Sequence, residues 1–435
     1  MLDSRRQNNK NQTSLALTNL LETRNGRFLS FGLMYVSEGI PYGFTATAVV
    51  AYLRGQEVGL DEIGILVAAL LLPWSFKWAW APLVDLFRFN ALGGRKAWIV
   101  FCTSMMVLCL SLILVTDAVA DFQLLLTLVV LNNFFAATQD VAIDSLAVST
   151  LQPEERARGN GFMFGGQNLG ITLGGAGAIA LFGLIGFDAA LLLMCALLAL
   201  NLGFIVLFVT DPEAGAAAAG GRISEAFRSF FTELRKGFLG SGRGPLVALL
   251  FSVLPIGAMA LSYATLSTIL VDFGLDEGGV SLVVATYTLC AALGCIVGGF
   301  LADRLGLRPT LFGAYFGTAL LALTLAVAID LNGLAGVSYN LLVSVIAING
   351  VIFGCAFGAR SASFMGISNP MVGATMFTTF MAMSNLIVSF TNFWQGQVAE
   401  RFDYAAVLCI DAALVLIPLC VIPLLRTREE TAVSG

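Results

Sequence analysis

The sequence predicts an all-α polytopic membrane protein, with twelve transmembrane helices in two pseudo-symmetric six-helix halves. Three observations predict it. The chain has 435 residues, of which 58% are hydrophobic and only 12% are charged, about half the charged share of a soluble domain. Its apolar residues fall into runs long enough to cross a bilayer. Its basic residues fall almost wholly on one side of those runs. Such a chain has too few charges to cover a soluble surface of its size, which excludes a cytosolic enzyme, a nucleic-acid binder and a disordered protein.

The apolar runs lie near 28–53, 63–85, 97–116, 122–150, 160–183, 187–210, 245–270, 279–303, 309–329, 337–360, 371–398 and 404–425. Twelve helices of about 20 residues each account for the hydrophobic content. With the N-terminus in the cytoplasm, 20 of the 23 Lys and Arg residues lie on the cytoplasmic side, among them Arg5, Arg6, Lys10, Arg88, Arg222, Arg426 and Arg428. Arg54 and Arg401 lie opposite, and Lys77 lies within a span. Basic residues collect in cytoplasmic loops, so both termini are expected there. No cleavable signal precedes the first run, which is expected to remain as a helix.

The expected organisation is a tail over 1–27, a six-helix bundle over 28–210, a linker over 211–244, a second bundle over 245–425 and a tail over 426–435. The linker opens with a Gly/Ala stretch (Glu213 to Gly221). Ile223, Phe227, Phe230, Phe231, Leu234 and Phe238 then recur near helical spacing among charged residues, the pattern of a helix lying on a membrane face. A plain linker is the alternative.

Histidine is absent. The commonest metal ligand and the Ser-His and Cys-His arrangements are therefore missing, and any proton transfer falls to carboxylates. The eight cysteines stand singly in apolar runs with no C-x-x-C, so neither a disulfide framework nor a metal site is expected. No Walker A motif occurs. No cofactor and no enzymatic activity are expected.

The two halves repeat a pattern. Span 2 ends Ala81-Pro82-Leu83-Val84-Asp85, followed by Gly94-Arg95-Lys96. Span 8 ends Gly299-Phe300-Leu301-Ala302-Asp303, followed by Arg304-Leu305-Gly306-Leu307-Arg308, with the two Asp residues 218 positions apart (303 − 85). The glycine allows close helix approach, and the Asp, at a helix end, accepts from neighbouring helix N-termini and Arg. Asp85, Arg95, Lys96, Asp303, Arg304 and Arg308 are the expected cytoplasmic gate. Asp144 of span 4 and Arg360 of span 10 stand 216 apart (360 − 144), and Arg360 is expected as an inner-gate partner.

The segment G-x-x-x-D-R-x-G-x-R over 299–308 resembles the signature loop of the major facilitator superfamily. The stretches Gly39-Ile40-Pro41-Tyr42-Gly43 and Leu72-Pro73-Trp74-Ser75-Phe76-Lys77-Trp78-Ala79-Trp80-Ala81-Pro82 look like its subfamily of AmpG-like muropeptide permeases and acetyl-CoA transporters, as do Gln139-Asp140-Val141-Ala142-Ile143-Asp144 and Pro153-Glu154-Glu155-Arg156. Span 7 departs from that pattern at Leu254-Pro255-Ile256-Gly257. The resemblance implies alternating access between two halves, a solute such as a muropeptide, an acyl-CoA or a siderophore, and a bacterial inner-membrane location, with the protein acting as a monomer.

Charge inside a membrane is costly and marks a functional candidate. Glu38 and Lys77 lie near mid-span, so a contact between them is geometrically open. Glu38 is either a proton-coupling carboxylate or a structural partner of Lys77. Asp140 and Asp144 are i,i+4 and share a helix face. Asp144 has a second reading, as a partly hydrated group at a helix end. Asp411 is a further intramembrane carboxylate. Asn133, Gln167 and Asn385 are polar candidates for solute contact, with interhelical hydrogen bonding as the alternative. The expected function is proton-coupled import of an organic solute. The alternatives are an efflux pump, or a membrane assembly factor or receptor that keeps the fold without transport.

Overall fold

The computed structural model describes residues 19–58, 60–87, 89, 93–212, 223–240, 243–262 and 264–425. The Glu213–Gly221 stretch and Arg5, Arg6, Lys10, Arg88, Arg222, Arg426 and Arg428 of the charge count lie outside the described residues. Among the described residues, seven helices are long and apolar enough to cross a membrane: Arg95–Ile113, Phe122–Thr150, Phe187–Phe208, Gly278–Leu305, Leu307–Asn332, Tyr339–Ile367 and Tyr404–Leu424. They are spans 3, 4, 6, 8, 9, 10 and 12 of a fold with twelve transmembrane helices in two halves.

Four of the other five spans are assembled from shorter pieces, each for a local reason. Span 1 starts at Arg24, where the Thr23 hydroxyl accepts from the Gly26 N–H at 3.1 Å. Pro41 lacks the amide that would continue the ladder. The helix Arg24–Gly43 gives way to a π-turn at Phe44–Ala48 before Val49–Gly55, and Thr45 Oγ1 donates to the Pro41 carbonyl at 2.8 Å. Span 2 runs Leu60–Phe76, tightens into a 3₁₀ turn at Lys77–Ala79 and resumes as Ala81–Leu86. Span 5 runs Arg156–Thr172, with a π-turn at Leu173–Gly177 before Ala178–Ile185.

Span 7 is broken outright. Gly244–Ser252 is helical, and helix returns only at Ala264–Asp272. Span 11 is a single helix, Gly373–Arg401, whose Thr, Ser, Asn and Gln residues dilute its hydropathy. The linker carries a helix, Ile223–Arg235, continued by Lys236–Gly240. Its Phe230 is buried against the bundle, while Phe231 stays exposed.

Small residues set the helix contacts, as expected where apolar burial gives no drive within lipid. Span 5 lies against span 1. A Cβ on Gly170 would meet the Val36 carbonyl oxygen and Gly39, so a larger residue pushes the helices apart. This approach puts Gln167 beside Glu38. Span 5 also meets span 8 across the seam between the halves, where a Cβ on Gly299 would run into Ala157 and Arg158. The seam is thus shut at the face that carries Arg24 and the start of span 5.

Candidate functional site

The site is a buried charge cluster on spans 1, 2, 4 and 5. Glu38, Lys77, Asp140 and Asp144 are all buried, Glu38 completely. The 3₁₀ turn in span 2 directs Lys77 to span 4, where its ammonium pairs with Asp140. The ammonium also lies 5.4 Å from the Trp74 ring centroid. Trp74 Nε1 donates to Asn133 at 3.1 Å, and Asn133 in turn donates to the Val129 carbonyl at 2.9 Å. Asn133 therefore orients the tryptophan that flanks the lysine.

Glu38 does not pair with Lys77. This corrects the contact that depth along the helices left open. Gln167 reaches across the span 1–span 5 contact and donates to one Glu38 oxygen, while the other oxygen has no hydrogen-bond partner among the described residues. Asp144 is buried rather than hydrated, and accepts from the Tyr35 hydroxyl at 2.5 Å. Three carboxyl groups thus face one ammonium, and full ionisation would leave a net charge of −2 (1 − 3) in the cluster. An unbalanced charge within a bilayer is costly, so the cluster is built to take up a proton or a cationic group. Gln139 ties span 4 to spans 3 and 1, donating to Thr103 at 2.6 Å and to Ser37 at 3.2 Å.

Tyr35 went unmarked in the sequence, because an aromatic in an apolar run reads as packing. Its position three residues before Glu38, on the same helix face, is the available signal. Its ring packs edge-on to Phe164 at 5.4 Å, and Phe164 meets Phe357 of span 10 at 4.7 Å. The carboxylate cluster is thereby in packing contact with the opposite half.

The expected gate residues divide. Asp85 and Asp303 reach across the seam. Asp85 accepts from both the N–H and the hydroxyl of Thr375, at 2.9 Å each, in the first turn of span 11. Asp303 pairs with Arg158 at 2.7 Å and stands 3.9 Å from Arg24, and Arg158 also covers the Phe300 ring. Arg95, Lys96 and Arg308 hold partners within their own half. Arg95 pairs with Asp211 at 2.9 Å, and its Nη1 donates to Ser149 at 2.6 Å. Lys96 donates to the Val206 carbonyl, Arg308 donates to the Leu425 carbonyl at 2.7 Å, and Arg304 is exposed. A basic turn needs only a nearby helix end to hold it, so the repeat marks the aspartates better than the bases.

Arg360 corrects a second expectation. It does not meet Asp144. Its guanidinium turns to the break in span 7, where Nη2 donates to the carbonyls of Phe251, Ser252 and Leu254 at 2.7 to 3.1 Å and Nη1 donates to Tyr315 at 2.8 Å. A broken helix end leaves carbonyls unbonded, and a fork of five N–H donors fits that need. Ser384 also accepts from Nη2, at 3.2 Å, and Asn385, next in the chain, is half-buried in span 11 rather than part of the charge cluster.

Glu155, just outside span 5, is clamped by Arg27, whose Nε donates to one carboxylate oxygen at 2.8 Å. Burial opposes ionisation of Glu155. The hydrogen bonds from Arg27 and from the Gln152 N–H outweigh it and hold the carboxyl below its ordinary value.

The sequence matches the Major Facilitator Superfamily over residues 28–270 and 246–434. The chain belongs to the major facilitator superfamily. It is a multi-pass integral membrane transporter of that group, resembling the AmpG subset. It is 23% identical to the putative transporter AmpG 4 of Rickettsia conorii, over 92% of this chain and 97% of that one. It is 26% identical to the anhydromuropeptide permease of Escherichia coli over 65% of this chain, which spans 57% of that permease. Among solved structures, the E. coli fucose:proton symporter FucP superposes with a TM-score of 0.66 at 12% identity, covering 92% of this chain and 98% of FucP. The proton:xylose symporter XylE superposes at 0.65 with 11% identity, covering 95% and 100%.

Proposed function

We propose that this superfamily member imports an organic solute of the muropeptide type in symport with protons, across a bacterial inner membrane with both termini cytoplasmic. One observation carries the coupling. Lys77 pairs with Asp140, and among the described residues neither Glu38 nor Asp144 has an ion pair of its own. A proton on Glu38 removes charge from the cluster. Its loss restores a carboxylate held by the Gln167 amide. Gln167 belongs to span 5, which packs against both span 1 and span 8, so the strength of this one hydrogen bond bears on the helix that forms the seam. A solute contact with Gln167 competes with Glu38 for the same donor. That supplies the differential interaction by which a ligand shifts a conformational equilibrium.

The solute class rests on the name of the anhydromuropeptide permease among the relatives. The inward-positive charge pattern supports the orientation. Reconstitution of the protein in liposomes tests the reading, with labelled anhydromuropeptide supplied and a pH gradient imposed. Accumulation that collapses with a protonophore supports it. Binding without uptake in either direction would favour a receptor on this fold. Uptake indifferent to the pH gradient would remove the coupling.

A further inference from the structure

The C-terminal half holds a buried carboxyl group that the charge cluster does not use. Asp411 lies in span 12 and is 0% exposed. Its Oδ2 accepts from the Ala260 N–H at 2.6 Å, inside the non-helical stretch of span 7, and its Oδ1 has no hydrogen-bond partner among the described residues. The polar groups that face it are the Met259 and Ala260 N–H groups from span 7 and the Gln395 side chain from span 11. None of these is charged. No Lys, Arg or second carboxylate among the described residues acts on it.

The surroundings of Ala260 are built to hold a break. Thr318 of span 9 accepts from the Ala258 N–H at 3.0 Å, and Asn349 of span 10 donates to the Ser262 hydroxyl at 3.2 Å. Gly257 takes a left-handed φ of +74°, which suits glycine. Arg360 secures the carbonyls on the other side of the break. Neutral partners hold most of these contacts. The contact at Ala260, with Met259 beside it, depends on a group that changes charge. An N–H to carboxylate bond is about twice as strong as one to a neutral acceptor.

We propose that Asp411 is a second proton-binding site, one that sets the geometry of the break in span 7. Ionised, it grips the Ala260 N–H and fixes the stretch 253–262. Protonated, it gives up its charge, and the grip weakens. Ile256 and Met259 of that stretch pack with Phe357, which meets Phe164 across the seam, so release of the stretch reaches the contact between the halves. The inference rests on the proton-coupled reading and adds to it a site in the other half.

Infrared difference spectroscopy of the reconstituted full-length protein, between neutral and acid pH, tests it. The wild type should show a carbonyl-stretch band of a protonated carboxyl, part of which is lost in Asp411→Asn and kept in Glu38→Gln. Asp411→Glu should keep that part at a shifted frequency, which separates loss of the proton site from misfolding. Amide hydrogen exchange over 253–262, corrected for the intrinsic pH effect, should quicken on acidification in the wild type and stay flat in Asp411→Asn. A band unchanged in Asp411→Asn but diminished in Glu38→Gln overturns this inference and leaves the proton-coupled reading standing. No titrating carboxyl band in the wild type overturns both.

Discussion

Asp303 and Arg158 pair at 2.7 Å across the seam between the two six-helix halves. Asp85 makes the matching contact in the other direction, accepting from Thr375. The two aspartates stand 218 positions apart (303 − 85), and their partners 217 apart (375 − 158). The internal repeat is therefore a repeat of contacts as well as of sequence. Each half offers a carboxylate at the end of its second helix to the start of the other half's fifth.

These contacts should weight the equilibrium toward the state closed at this face. Hydrogen bonds to charged groups contribute roughly 1.5–3 kcal/mol, so Asp85→Asn should raise the open fraction by about one order of magnitude or more, and Asp303→Asn, which removes an ion pair, should raise it in the same direction. Labelling of a cysteine placed on span 5 near Ala157, in a cysteine-free background, reads this out. Equal labelling in wild type and variant would show that the aspartates do not hold the seam.

The Lys77–Asp140 pair is buried in the membrane, and removing one partner strands the other. Breaking such a pair costs about 3–5 kcal/mol, whereas replacing both is often tolerated. Lys77→Met and Asp140→Asn should each lower the unfolding temperature in detergent, and the double variant should recover most of the loss. A double variant as unstable as the sum of the singles would mean that the two do not act as a pair.

Gly170 sets the distance between spans 1 and 5. Gly170→Leu should destabilise the protein by at least the roughly 1–3 kcal/mol typical of overpacking, and should withdraw Gln167 from Glu38. Thermal unfolding and pH-driven uptake should fall together. Normal behaviour in both would contradict the close approach of these helices.

Glu155 gives a pH dependence outside the membrane. Arg27 and the Gln152 N–H hold its carboxyl below the ordinary glutamate value of about 4.3. A lowered carboxyl contributes stability above that ordinary value and loses it as the pH falls through the folded value. Glu155→Gln should therefore be less stable than the wild type near neutral pH, with the gap closing on acidification. Thermal unfolding across that range checks it, and a gap that widens toward acid would reverse the sign.

Much of this architecture was legible in the sequence. Apolar runs and the one-sided basic residues gave the spans, and the spacing around Gly299 and Asp303 marked the seam contact. The partner of Lys77 was not legible, because the 3₁₀ turn at Lys77–Ala79 rotates it away from where a continuous helix would put it. The role of Arg360 was hidden for a related reason. The run 245–270 reads as one apolar span, and only Pro255 and Gly257 hint that its carbonyls need a donor. Polar residues were visible as candidates, but which of them serve packing depends on helix rotations that periodicity does not resolve. Asn133 is an example, since its neighbour Trp74 is brought to it by the bend of span 2.

On the proposed mechanism Glu38, buried and outside the Lys77–Asp140 pair, couples protons to transport. Glu38→Gln keeps the side chain's size and its contact with Gln167 but cannot exchange a proton. In liposomes loaded with unlabelled anhydromuropeptide and given labelled solute outside, the variant should still exchange one for the other. It should fail to accumulate solute when a pH gradient is imposed. Accumulation at wild-type level with the same pH dependence would contradict the account.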